Sequence, residues 1–253
     1  MPTPEETAWP RLLGLKRGEG LNPEDLPPPV RAVWDRYAPL AGAASSFVIA
    51  QLGQSLDGRI ATPTGHSHYV NGPQSILHLH RLRALADAVV IGVGTVIADD
   101  PQLTVRLVDG PNPARIVLDP NGRMPPDARL LTEDGTPRIV IQAARHELPP
   151  GVLGVGLPVR EKLFDPRAII AALGELGFKR LLIEGGGRTV SAFLAARALD
   201  RLHVTVAPLL IGSGPTGIDL PEIDHLDDAL RPSVHLHRLD EDVLFDCVLA
   251  RTV

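Results

Sequence analysis

Residues 181–187 read LLIEGGG, and RTVSAFLAARAL follows at 188–199. Three apolar residues, Leu181 to Ile183, run into one acid, Glu184, and then into three glycines before a stretch patterned as a helix. A strand that ends in a carboxylate and opens into bare backbone at a helix start is suited to an anion. Unpaired N–H groups can point at the ligand, and the helix dipole favours its charge. The glycines are not a Rossmann G-x-G-x-x-G fingerprint, because Arg188, Thr189 and Val190 follow Gly187. That fingerprint would also open the first βαβ unit, whereas this turn comes late in the chain. No Gly-Lys-Ser or Gly-Lys-Thr occurs, so a Walker loop is excluded. Taken alone, the stretch is equally a tight strand-to-helix turn with no ligand.

Outward from this turn the chain alternates. FVIAQL (47–52), AVVIG (88–92), RIVLD (115–119), RIVIQ (138–142), RLLIE (180–184) and RLHVTVAPLLIG (201–212) read as strands. QSILHLHRLRALAD (74–87) reads as a helix with an apolar stripe of Ile76, Leu77, Leu79, Leu82 and Leu85, and DPRAIIAALGELG (165–177) as one capped by Asp165 and ended by Gly177. SVHLHRL (233–239) and VLFDCVLA (243–250), joined by a short acidic link, predict an antiparallel hairpin. The pattern predicts an α/β fold, a mixed but mostly parallel central sheet with helices on both faces and the hairpin at the end.

Residues 1–45 differ. They hold the proline cluster in NPEDLPPPV, which disfavours helix, two short amphipathic pieces (Trp9 to Leu15 and Val30 to Tyr37), and both tryptophans, Trp9 and Trp34. This segment is expected to be an extension packed on the body or on a partner, with the principal domain at 46–253.

Composition narrows the function. A net charge of −5 offers no basic field for nucleic acid. No apolar run reaches the ~18–20 residues a membrane span needs, and the N-terminus lacks the basic and apolar regions of a signal peptide, so a cytoplasmic protein is expected. Cys247 is the single cysteine, which excludes an intrachain disulfide and a Cys-based zinc cluster; its apolar neighbours mark it as a small core residue. The histidine pairs at 66/68, 78/80 and 235/237 do not make a metal site: His78 and His80 stand about 200° apart on a helix, and His235 and His237 share a face read as solvent. No metal is expected.

Two more stretches carry turn chemistry. QSLDGRIATPTGHS (54–67) has Asp57-Gly58 and Thr64-Gly65, and IGVGTVIADDPQLTVR (91–106) has a second glycine turn at a strand end. SLDGRIA, HRLRALADAVVIGVGTVIADDPQLTVR, RIVLD and LLIEGGG together resemble the reductase family of riboflavin biosynthesis, over about residues 46–250. The resemblance implies a dihydrofolate-reductase-like three-layer fold. No H-x-E followed by P-C-x-x-C occurs, so a stand-alone form without the family's deaminase half is expected.

The resemblance also implies roles. NADPH is expected with its pyrophosphate at Gly186, Gly187, Arg188 and Thr189, further contacts at Thr95 and Asp99, and Gly53 and Ile60 near the nicotinamide. Tyr69 stands where the family usually has Trp. Ser67, Arg83, Leu103, Arg106 and Glu184 match substrate positions, which suits a phosphorylated ribosylamino-pyrimidine. Arg83 and Arg106 could fork onto a phosphate, and Glu184 could accept from N–H or O–H donors. From the residues alone, Arg83 could equally lie on a solvated helix face, Arg106 could pair with Asp99 or Asp100, and Asp57 could simply make its turn.

The implied reaction is hydride transfer to ribose C1 of 5-amino-6-(5-phosphoribosylamino)uracil, with Asp99, Glu184 or water as proton donor. Alternatives are reduction of the non-deaminated 2,5-diamino-6-ribosylamino-pyrimidinone 5-phosphate or another small substrate, and a nucleotide- or phosphometabolite-binding protein without turnover. A homodimer is expected, with VTVAPLLIG as a candidate interface strand. Arg123, in PNGR, is the candidate for the cofactor's 2′-phosphate.

Overall fold

A computed structural model describes residues 2–20, 22–68 and 70–251. The chain opens with two helices, α1 (Pro4–Lys16) and α2 (Pro28–Ala41). Thr3 and Glu6 cap α1 reciprocally: Thr3 Oγ1 accepts from Glu6 N at 3.1 Å and Glu6 Oε2 from Thr3 N at 2.7 Å. The proline cluster, read above as disfavouring helix, begins one instead. Pro28 opens the first turn of α2, where a missing N–H costs nothing.

The body then runs β1 (Phe47–Ser55), α3 (Pro73–Leu85), β2 (Ala88–Gly92), α4 (Val93–Asp99), β3 (Ala114–Leu118), β4 (Arg138–Gln142), β5 (Leu153–Gly156), β6 (Val159–Arg160) and β7 (Leu163–Phe164). It continues with α5 (Pro166–Glu175), β8 (Arg180–Glu184), α6 (Gly187–Ala195), β9 (Arg201–Ala207), β10 (Ser233–Leu239) and β11 (Asp242–Val248). Nine strands form one sheet in the order β10-β11-β9-β1-β8-β2-β3-β4-β5, while β6 and β7 pair separately. Every pairing from β9 to β5 is parallel; β11 runs antiparallel to both β9 and β10. The mixed, mostly parallel sheet and its closing hairpin are as the sequence pattern predicts.

Successive residues of the inner strands supply two cores. Ile49, Val89, Ile91 and Leu182 pack with α1, α2, α3 and α4 on one face. Val48, Ala50, Val90, Leu181 and Ile183 pack with α5 and α6 on the other. Burial on both sides is why these strands read as continuous apolar runs.

Some expectations shift. Of the stripe assigned to α3, Leu82 and Leu85 are fully buried, but Ile76 is 43% exposed and His78 takes an inward position at 0%. The last helix ends at Ala195 rather than 199, with Arg197 in the left-handed region at φ 51°. VTVAPLLIG is not one exposed strand: its first four residues lie inside β9, between β1 and β11. Pro208 cannot continue the ladder, and Leu209 and Leu210 are exposed beyond it. Strand β5, LGVG, carries too little side chain to have been read as a strand.

A candidate dinucleotide and phosphate site at the sheet edge

Strands β8 and β2 are neighbours in the sheet, so the turns that follow them lie side by side. Gly92 is the N-cap of α4 and Gly186 the N-cap of α6. Thr95 Oγ1 accepts from Gly186 N at 3.0 Å, tying the first turn of one helix to the cap of the other. A Cβ on Gly92 would come within 2.9 Å of Thr189 Oγ1. Gly185 adopts φ 150°, a conformation side chains disfavour. Two helix N-termini are thereby brought together, with Gly186 N held by Thr95 and Thr189 N by Gly186 O at 3.0 Å.

A strap passes over this point. A Cβ on Gly187 would lie 2.5 Å from Thr216 O and 2.6 Å from Gly217 O. The strap is tied to the turn after β1: Ile60 N donates to Pro215 O and Gly217 N to Gly58 O, each at 3.0 Å. Asp57 adds a second tie, accepting from Ser55 Oγ at 2.6 Å, Gly212 N at 2.6 Å and Ile211 N at 3.1 Å. The Ser55 hydroxyl and then these two backbone donors lower its pKa to about 2. Asp57 therefore does more than close its own turn.

Next to the glycine turn, Glu184 is the last residue of β8. Arg83, on α3, donates Nε to Glu184 Oε2 at 2.8 Å and Nη2 to Glu184 Oε1. A third donor, Nη1, reaches Thr104 O at 3.2 Å. Arg83 is thus neither on a solvated face nor free to fork onto a phosphate; its guanidinium is committed to Glu184. Arg106 is exposed, and Nη1 donates to Thr104 Oγ1 at 2.6 Å. It makes no ion pair with Asp99 or Asp100 among the described residues. Burial, then the positive charges of Arg83 and Arg129, lower its pKa. His80 Nδ1 accepts from Arg106 N at 3.0 Å. Burial, followed by Arg83 and Arg106, lowers the His80 pKa to about 4. This imidazole is neutral at physiological pH and serves as an acceptor.

The remaining site positions separate. Ser67 Oγ lies 3.3 Å from Asp99 Oδ1, joining the loop after β1 to the end of α4. Leu103, at φ 56° and 1% exposed, buries its side chain in the core and leaves only backbone for a ligand. Gly53 is required by a close neighbour: a Cβ there would meet Asn71 Oδ1 at 1.9 Å. Ile60 sits at the strap, Arg188 is exposed on α6, and Arg123 is exposed beyond β3. Tyr69 lies outside the described residues. No cluster of three or more metal-type ligands occurs among them, and no helix is long and apolar enough to cross a membrane.

Sequence reasoning missed three participants. His80 was weighed only as a metal ligand. Arg129 gave no signal, since its charge acts on Arg106 from a separate segment, the turn Arg129–Leu131. Asp242 caps α3 from the hairpin, accepting from Gly72 N at 2.9 Å and Ser75 Oγ at 2.6 Å.

A mostly parallel sheet with two glycine turns at the carboxyl ends of adjacent strands, beside a carboxylate–arginine pair, defines an α/β domain with its candidate site at the sheet edge. Comparison with known proteins places it more narrowly. Residues 46–245 match the family model for the RibD C-terminal domain, and the chain belongs to that family. It is 39% identical over 170 residues to the riboflavin biosynthesis protein RibD of Aquifex aeolicus, covering 66% of this chain and 48% of that protein. It is 32% identical over 211 residues to the 2,5-diamino-6-ribosylamino-4(3H)-pyrimidinone 5′-phosphate reductase of Methanothermobacter thermautotrophicus, covering 79% of this chain and 96% of the relative. The chain thus spans about half of one relative and nearly all of the other. Among solved structures, the diaminohydroxyphosphoribosylaminopyrimidine deaminase/5-amino-6-(5-phosphoribosylamino)uracil reductase of Thermotoga maritima superposes with a TM-score of 0.71 at 25% identity, over 87% of this chain and 61% of that one.

Proposed function

We propose that this chain is an NADPH-dependent reductase of riboflavin biosynthesis that reduces ribose C1 of 5-amino-6-(5-phosphoribosylamino)uracil to give the ribitylamino product. One observation carries the reading: Glu184 is the residue immediately before the glycine turn and is held by Arg83 through two hydrogen bonds. The backbone that suits a pyrophosphate and the carboxylate that suits pyrimidine or sugar donors are therefore contiguous.

The residues fit the cofactor. A Cβ at Gly186 would enter open space beside Thr95 Oγ1, 3.4 Å away, and the paired helix N-termini suit a diphosphate. When bound, NADPH would supply the hydride for C1 of the ring-opened imine, whose reduction keeps the C1–N bond of the ribitylamino product. Glu184, with Arg83 fixing both its oxygens, orients the substrate as an acceptor and is a poor proton donor. Arg106, with Arg129 nearby, takes the substrate phosphate. The proton comes from water at the open side, where Asp99 and Ser67 meet.

A second reading keeps the chemistry and changes the substrate. The relative matched along 96% of its length is named for the non-deaminated diamino-pyrimidinone phosphate. Oxidation of NADPH, followed by its near-ultraviolet absorbance with each of the two pyrimidine phosphates, separates these readings. No oxidation with either, despite NADPH binding, would leave only a ligand-binding protein.

A homodimer is also proposed. Strand β10 is a sheet edge, and Val234, Leu236 and Phe245 leave an apolar strip on the hairpin. Sedimentation equilibrium measures it; a monomer at micromolar concentration would refute it.

A further inference from the structure

Helices α1 and α2 lie outside the matched family region, yet they grip the two pieces of the body that carry Arg83 and Arg106. Lys16 Nζ donates to Ala84 O and Ala86 O, each at 2.9 Å, so an ammonium from α1 closes the carboxyl end of α3 one residue past Arg83. Trp9 Nε1 donates to Asp109 O at 2.9 Å, three residues past Arg106. Trp9, Asp109 and Arg106 line one cavity of about 770 Å³. Between these anchors, Gly110 is wedged at φ 144°: a Cβ there would lie 2.7 Å from Ala84 Cβ and 3.5 Å from Leu13 Cδ2. On the far side of α3, Tyr37 of α2 bonds His78 Nδ1 at 2.7 Å, and Leu12, Val33, Trp34 and Leu40 share a core with Leu82 and Leu85.

We propose that the first two helices are a positioning element for the substrate phosphate, with Lys16 and Trp9 setting the places of Arg83 and Arg106 through the end of α3 and the loop 104–110. This rests on the reading of Arg106 as the phosphate ligand. The two arginines come from different elements, and α1 is bonded to both of those elements. Arg106 is further held to α3 through His80, so a shift of α3 moves both guanidinium groups together. Lys16 makes two of these hydrogen bonds and Trp9 one, and Trp9 also packs in the core with its ring 6.2 Å from that of Tyr37. The variants therefore remove the donors and keep an apolar stem or an aromatic ring in place.

The test uses the full chain and mild variants. Trp9→Phe keeps an aromatic ring and loses the N–H; Lys16→Met keeps an apolar stem and loses the ammonium; Lys16→Arg retains a donor. KM and kcat are measured with the phosphorylated ribosylamino-pyrimidine and with its dephosphorylated counterpart, and NADPH affinity by fluorescence. Trp9→Phe and Lys16→Met should each raise KM for the phosphorylated substrate by about tenfold. They should raise KM for the dephosphorylated compound, which Glu184 still orients through Arg83, by no more than about threefold and leave kcat and NADPH affinity unchanged, and Lys16→Arg should restore most of the loss. Equal effects on both substrates would show a purely structural role and overturn the proposal, as would an unchanged KM. Arg106→Ala is run alongside. If it abolishes the preference for the phosphorylated substrate while the α1 variants keep it, positioning fails and the phosphate reading stands. If Arg106→Ala leaves the preference intact, the phosphate reading fails and the proposal falls with it.

Discussion

Arg83 and Glu184 face each other as a fork on a fork, one at the end of α3 and the other at the end of β8, with side chains only 8% and 13% exposed. Removing one partner strands the other charge away from water. Arg83→Met alone should therefore destabilise the fold by about 3 kcal/mol, whereas Arg83→Met with Glu184→Gln should recover more than half of that loss. Urea unfolding of the two single variants and the double variant tests this. Additive losses would show that the two side chains do not act as a pair.

The three glycines of the turn are not equivalent. Gly186 has ordinary extended backbone, φ −55° and ψ 152°, and a Cβ there would meet nothing nearer than Thr95 Oγ1 at 3.4 Å. A Cβ at Gly187 would press on two backbone carbonyls of the strap. Gly187→Ala should cost about 2 kcal/mol and weaken NADPH binding by displacing residues 216–217. Gly186→Ala should stay within about 1 kcal/mol of the parent. Equal stability losses at the two positions would show that the strap is not the constraint.

Among the described residues, Thr95 is the only link between the two helix starts that uses a side-chain acceptor to a backbone donor. Thr95→Val preserves shape and leaves Gly186 N without its partner, so NADPH affinity should fall about tenfold, while Thr95→Ser should retain it. Fluorescence titration of NADPH measures both. Equal affinity in the valine variant would remove Thr95 from the cradle.

What the sequence reveals of this architecture follows from where burial is symmetric. AVVIG, RIVIQ and RLLIE are covered on both faces, so their composition alone marks them as inner strands, and their observed limits coincide with the reading. Helix α3 misleads because its inward face carries His78 and Arg83 beside Leu82 and Leu85, so counting apolar residues puts Ile76 on the wrong side. The glycine turns are visible because backbone approach demands glycine. The Arg83–Glu184 pair is not, because 101 residues separate its members and either could have faced solvent. Asn71, which explains Gly53, is likewise silent until the hairpin and β1 are placed together.

A buried polar chain beneath α2 sets the response to acid. Tyr37 OH lies 2.7 Å from His78 Nδ1, His78 Nε2 lies 3.1 Å from His203 Nδ1, and His203 Nε2 lies 3.1 Å from Asp246 Oδ1. Burial would raise the Asp246 pKa, but His203 and His237, 3.1 and 3.7 Å away, and Arg201, 2.7 Å away, outweigh it and hold the carboxyl below its usual range. An ionised Asp246 only accepts, so the proton of neutral His203 is on Nε2. His203 Nδ1 then accepts from His78 Nε2–H, and His78 Nδ1 from the Tyr37 hydroxyl. Burial lowers the pKa of both histidines; the charges of Arg36 and Arg81 add to this at His78, and those of Arg201 and Arg36 at His203. Below the ordinary imidazole value of 6.5 the unfolded chain takes up protons that the folded chain refuses, so stability is complete above that pH and declines as pH falls. Each buried histidine contributes a slope of up to about 1.4 kcal/mol per pH unit. His80 adds to the same slope, whereas the lowered Asp246 contributes a constant stabilisation above 3.8 that is lost only as pH falls below that value. His78→Gln can accept from Tyr37 and donate to His203 without titrating. Unfolding free energies from urea at pH 7.5, 6.5, 5.5 and 5.0 should therefore fall less steeply for His78→Gln than for the parent, by about one proton's worth of slope. Parallel curves would mean that His78 is protonated inside the fold.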